Sequence, residues 1–184
     1  MDARAINAPP ALAAVEVALK GRFLAPGLSL KEFLWSNHHP DLIPGNVAAY
    51  LSNAAHQANG ARLGIGYAGA HGEIGRMLVT SGYRFPGLNS AARGSGTKPG
   101  QKPSAHMDAR AIDVIPLDMP MLEAFNRLRR ANLPFEKLIW EGGTWIHLQV
   151  PKAGEEPRRV AYMWFGGADY PAFNEADPRV RKVA

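Results

Sequence analysis

The stretch Ser104–Pro116, S-A-H-M-D-A-R-A-I-D-V-I-P, constrains this 184-residue chain more than any other. Its second half alternates. Ala109, Ala111, Asp113 and Ile115 fall on one face of a short strand, while Ile112 and Val114 face a core on the other. An aspartate on a strand anchored by apolar neighbours is a rigid carboxylate. His106 precedes that strand in a loop, and a second histidine follows downstream in Trp145-Ile146-His147. Two imidazoles and one carboxylate suit a tetrahedral zinc that keeps its fourth position open for water. H-x6-D alone is a weak pattern, because surface histidines near aspartates are common.

Two further segments add to it. Val79-Thr80-Ser81-Gly82-Tyr83-Arg84 lies upstream, followed by Asn89. Phe135-Glu136-Lys137-Leu138-Ile139-Trp140-Glu141 lies downstream, then a Gly-Gly turn and Thr144-Trp145-Ile146-His147-Leu148. With S-G-Y-R, S-x-H-x6-D and W-I-H in this order across residues 28–150, the chain resembles the zinc D-Ala-D-Ala carboxypeptidase family. Within that family it looks most like the branch found in phage endolysins and bacterial peptidoglycan peptidases.

The resemblance implies an α+β domain, a small antiparallel sheet with flanking helices in the hedgehog-like fold. It implies one Zn2+ on His106, Asp113 and His147, and cleavage of a peptide bond in the peptidoglycan stem peptide. The bond is either D-Ala-D-Ala or one cut by an endolysin-type endopeptidase. Arg84 matches the arginine that contacts substrate near the scissile carbonyl. Ser104 matches a serine that either binds substrate or holds the turn, and Trp145 either shapes the site or lies in the core. Where the family usually carries an acid, three residues before the final histidine, this chain has Thr144. The nearest acid, Glu141, becomes the expected catalytic base. A strict two-residue hairpin over Gly142-Gly143 would pair Glu141 with Thr144 and turn it away from His147, so the role requires a wider turn. Thr144 also favours an alternative, a catalytically impaired peptidoglycan-binding or phage structural module of the same fold. Ala109 stands where the family usually has glycine. His71 is the rival ligand, and His56 reads as a packing or surface residue.

Composition narrows the rest. With no cysteine, disulfides and thiolate ligands are excluded. Hydrophobic content of 46% and charged content of 20% belong to an ordinary globular chain. No apolar run reaches the roughly 18 residues of a membrane span. The net charge of +5 is scattered, with no basic helix or RNA motif, so nucleic acid is not the expected partner. A diffuse positive surface suits an anionic wall polymer equally well. The N-terminus does not read as a secretory signal. A monomer made in the cytoplasm and acting on the cell wall, in phage lysis or on a virion, is the expectation.

Along the chain, residues 1–22 read as an N-terminal helical extension, 23–165 as the zinc peptidase-like domain and 166–184 as a C-terminal tail with a loose end. The extension carries a helix over Ala11–Lys20. Ser29 and Glu32 form a capping box. A helix from Asp41 or Asn46 runs to Ala58 and stops at Asn59-Gly60, leaving 60–75 as a glycine-rich loop. Met77–Thr80 is a strand, and 90–103 a flap at the rim of the site. Asp118 caps a helix with Pro120 in its first turn and Met121, Leu122, Phe125 and Leu128 as its buried stripe. Asn132-Leu133-Pro134 ends that helix. A hairpin follows across Gly142-Gly143, then one more strand at 159–165.

Overall fold

The structure, a computed structural model, describes residues 19–36, 44–91 and 102–183. The expected N-terminal helix, apart from its last two residues, and most of the expected 90–103 flap lie outside them. The chain forms a mixed α+β domain in which a two-stranded antiparallel sheet and a larger mixed sheet accompany the helices. The small sheet pairs β1 (Phe23–Ala25) with β2 (Leu28–Ser29). Helix α1 (Leu30–Leu34) follows, and its capping box is present: the Ser29 hydroxyl accepts from the Glu32 N–H while the Glu32 side chain accepts from the Ser29 N–H.

Helix α2 (Pro44–Leu51) is shorter than the sequence suggests. Asn46 is a buried clamp inside it rather than its cap. Its Nδ2 donates to the carbonyls of Leu34 (2.6 Å) and Tyr83 (3.0 Å), and its Oδ1 accepts from the Phe85 N–H (3.2 Å). A new helix, α3 (Ala54–Ile74), then starts at Asn53, whose side chain accepts from the His56 N–H. It runs straight through Asn59-Gly60 and the stretch expected to be loop. Gly60, Gly64, Gly66 and Gly69, which argued for a loop, serve packing instead. A Cβ on Gly64 would overlap the Leu24 carbonyl, so only glycine lets the helix sit against β1.

The large sheet contains β3 (Met77–Ser81), β4 (Ala111–Pro116), β5 (Lys137–Glu141), β6 (Trp145–Gln149) and β7 (Val160–Trp164), in the order β3-β4-β6-β5-β7. All neighbours are antiparallel except β5 and β7, which run parallel. This corrects the purely antiparallel expectation: residue alternation reports which face a side chain occupies and carries no information on strand direction. The short α4 (Pro86–Ala91) lies between β3 and β4.

The register sorts every strand into two faces. Met77, Val79, Ile112, Val114, Leu138, Trp140, Ile146, Leu148 and Met163 are buried on one. That face carries the core, to which α3 and α5 (Met121–Arg130) contribute Leu63, Tyr67, Ala70, Phe125 and Leu128. The N-cap of α5 is Pro120, without a side-chain bond, and not Asp118. Asp118 is engaged by Arg76 instead, through the backbone N–H (2.6 Å) and the guanidinium (2.8 Å). The end of the chain is docked rather than loose. Phe173 packs on Phe125 at 4.5 Å between centroids, Val180 in α6 (Pro178–Val183) is fully buried, and Phe173 N–H donates to the Ala161 carbonyl along the β7 edge.

Candidate metal centre

The opposite face carries Asp113, His147, Ile139, Glu141, Trp145, Tyr162 and Trp164. Asp113 and His147 are direct cross-strand partners, so their side chains rise side by side. His106 joins them from the turn that precedes β4. Its Nε2 lies 3.3 Å from Asp113 Oδ1 and 3.2 Å from His147 Nδ1, and His147 Nδ1 lies 2.9 Å from Asp113 Oδ1. All three residues are buried. Donors about 2.0–2.1 Å from a tetrahedral ion stand roughly 3.3–3.4 Å apart. The observed triangle is close to that, so this buried group can hold a metal ion.

The supports of the donors are visible. The second nitrogen of His106, Nδ1, donates to the Gly82 carbonyl (2.8 Å), which fixes the ring and leaves Nε2 as the lone-pair donor. Gly82 is required there, because a Cβ would overlap the Phe33 carbonyl that accepts the Tyr83 N–H. Burial first, and then the Arg84 and His147 charges, outweigh Asp113 and push His106 down to about 4, so the ring is neutral at pH 7, the form that binds metal. For Asp113, burial works towards a raised value, but the imidazoles, His106 foremost, overcome it and hold the carboxyl well below the usual range. The group therefore includes a carboxylate and, in His106, a neutral imidazole at neutral pH.

Arg84 is buried beside this group, with its guanidinium 3.8 Å from Asp113 Oδ2 and its backbone N–H bonded to the His106 carbonyl (3.2 Å). Burial lowers its basicity, against the pull of Asp113 and Glu141, and its Nε finds no hydrogen-bond partner. A buried unsatisfied donor of this kind needs an explanation. Ser104 holds the turn: its hydroxyl accepts from the His106 N–H at 3.4 Å and its carbonyl from Met107 at 2.9 Å. Ala109 closes that turn, fully buried and with φ of 59°, a left-handed conformation that explains why glycine would suit the position.

Glu141 corrects a premise of the sequence reading. The β5–β6 hairpin has a three-residue loop, and Glu141 pairs with Trp145 rather than Thr144. The extra residue reverses the parity, so Glu141 lies on the same face as His147. Burial, then the Asp113 charge, push its carboxyl up to about 8 against the pull of Arg84. Thr144 is exposed in the loop, and Trp145 is half-buried on the open face rather than in the core. His71 sits exposed near the end of α3 against Tyr67 and takes no part in the donor group, and His56 packs its ring on Tyr83 at 5.2 Å.

What the sequence reading missed at this site is the aromatic border from β7 and the segment after it. Trp164 is the register partner of Glu141, and Tyr170 stacks on Trp164 at 6.2 Å. The visible signal was W-F-G-G-A-D-Y, three aromatics around a Gly-Gly turn. In comparisons with known proteins, no family model matches the chain and no curated protein matches it. Among the described residues, no helix is long and apolar enough to cross a membrane.

Proposed function

We propose that the chain is a zinc-dependent peptidase of peptidoglycan stem peptides, with a domain of the zinc D-Ala-D-Ala carboxypeptidase, hedgehog-like type. One observation carries the reading: His106 Nε2, Asp113 Oδ1 and His147 Nδ1 converge on the same sheet face as Glu141, with Arg84 beside them. The donor chemistry, two imidazoles and a carboxylate without thiolates, fits zinc in a catalytic rather than a closed structural site. Zinc on these residues supplies Lewis acidity, which polarises a carbonyl and acidifies water.

The chain's own residues supply the rest. Arg84 holds a fixed positive charge, with Nε unspent, where oxyanion charge would develop on a substrate carbonyl. Glu141 takes and returns a proton at its carboxylate, and burial keeps its basicity close to neutrality. Ser104 orients the His106 turn. The half-buried aromatics beside Glu141 exclude water from one side.

Mass spectrometry of purified peptidoglycan after incubation with the zinc-loaded protein tests the reading. The expected result is release of fragments differing by one stem-peptide bond, with His106→Ala and His147→Ala losing both the fragments and most of the zinc. Full zinc retention in both variants would sink the ligand assignment. A wild type that keeps zinc and releases nothing would leave the binding or phage structural module as the better account.

A further inference from the structure

The residues after β7 do more than close the sheet edge. The chain leaves Trp164 through Gly166 and Gly167, both at positive φ, and doubles back. The Trp164 indole N–H donates to the Gly167 carbonyl (3.0 Å), and the Met163 N–H donates to the Pro171 carbonyl (2.9 Å), immediately after Tyr170. Tyr170 is thus held from both sides. Its ring lies nearly parallel to that of Trp164, at an interplanar angle of 16° and 6.2 Å between centroids. Trp164 is the strand neighbour of Glu141 on the metal-centre face, so the pair stands beside Glu141 on that face.

A tyrosine used only for packing buries its ring and satisfies its hydroxyl. Tyr170 does neither. It remains 47% exposed, and among the described residues its hydroxyl has no hydrogen-bond partner. Burial first, and then the charges of Glu141 and Asp113, push its phenol above the usual range.

We infer that Trp164 and Tyr170 form the substrate-side wall of the metal centre, and that the Tyr170 hydroxyl donates a hydrogen bond to an oxygen of the bound peptide. This rests on the peptidase reading above. A free donor next to the strand neighbour of Glu141 gives the peptide a second fixed point of attachment. It also makes the segment after β7 part of the site, where a loose tail would contribute nothing.

The test compares wild type, Tyr170→Phe and Tyr170→Ala on one muropeptide, the disaccharide-pentapeptide, with zinc content and melting temperature measured alongside. Tyr170→Phe keeps the ring and loses only the donor. It should raise KM by about fivefold with kcat within about twofold, at unchanged zinc and melting temperature. Tyr170→Ala should raise KM further, because the stacked wall goes. Wild-type kinetics in Tyr170→Phe, or a loss matched by falling zinc content, would overturn the inference while leaving the peptidase reading intact. A wild type that cleaves no muropeptide overturns both.

Discussion

The two faces of the five-stranded sheet are built from alternate residues of the same strands, yet they obey different rules. On the helix-covered face, Ile146 and Leu148 flank His147 and are buried in a continuous apolar core. On the open face, His147 and Asp113 stand as cross-strand partners, both buried but polar, with Glu141 and Arg84 nearby. One face gains by hiding surface from water. The other holds charges and lone pairs that a folded chain on its own has little reason to collect. The lesson is that rigidity and polar clustering are supplied by neighbouring positions: the core side of each strand fixes the backbone to which the polar side is attached.

The sharpest way to break this comparison is to neutralise one open-face group. Glu141→Gln should fold and keep its metal while losing two to four orders of magnitude in turnover, the usual share of a general base. Full activity would remove Glu141 from the chemistry. The same variant carries a pH signature in the metal-free protein. A carboxyl raised to about 8 in the fold, against an ordinary value near 4.5, stabilises the fold below the lower value and loses that contribution as pH rises through the upper one. Glu141→Gln should therefore gain melting temperature over wild type progressively between these values and match it in acid. A difference that grows towards acid would contradict the burial of Glu141.

The partner experiment strikes the covered face one position from His147. Leu148→Ala should cost about 2–5 kcal/mol of stability, the range for large-to-small core changes, with zinc retained by the protein that remains folded. His147→Ala should do the reverse. If both variants lost zinc and stability alike, the two faces would not be separable.

Arg84 lies where the two regimes meet, because it is buried and yet unsatisfied at Nε. Arg84→Ala should reduce kcat/KM by about a hundredfold, near the loss of one oxyanion donor, with zinc content unchanged. Unfolding instead would mark it as structural support for Asp113.

The smallest effect is expected at Ala109. Relief of its positive φ by Ala109→Gly is offset by the greater freedom of glycine in the unfolded chain and by the lost buried methyl. A net gain of no more than about 1 kcal/mol, or a rise of roughly 1–3 °C in melting temperature, is expected. A lower melting temperature would mean that the methyl matters more than the backbone.

Much of the donor strand was legible in the sequence because Ala111–Ile115 alternates, and an alternating strand declares its faces. The Ser29–Glu32 capping box was legible for the same local reason. The turn between Glu141 and Trp145 was not, since Gly142-Gly143 is compatible with loops of two or three residues, and one residue inverts the face on which Glu141 falls. The direction of β7 escaped because the segment linking it to β6 passes β5 before pairing. The docked end escaped because the polar, proline-containing stretch around Phe173 hides single anchors such as Phe173 and Val180. Glycine misled most in α3, where it served close approach rather than chain reversal.

That helix has a bearing on how the molecule assembles. Its 21 residues include Gly60, Gly64, Gly66, Gly69 and Gly72, each costing about 1 kcal/mol relative to alanine in a helix interior. A segment so weakly disposed to helix does not persist alone in water. Its ordering therefore depends on the contacts that β1 and α5 make with it in the folded domain. Its backbone amides should then exchange with solvent only through global opening, and α3 becomes an internal gauge of whether the whole domain has formed.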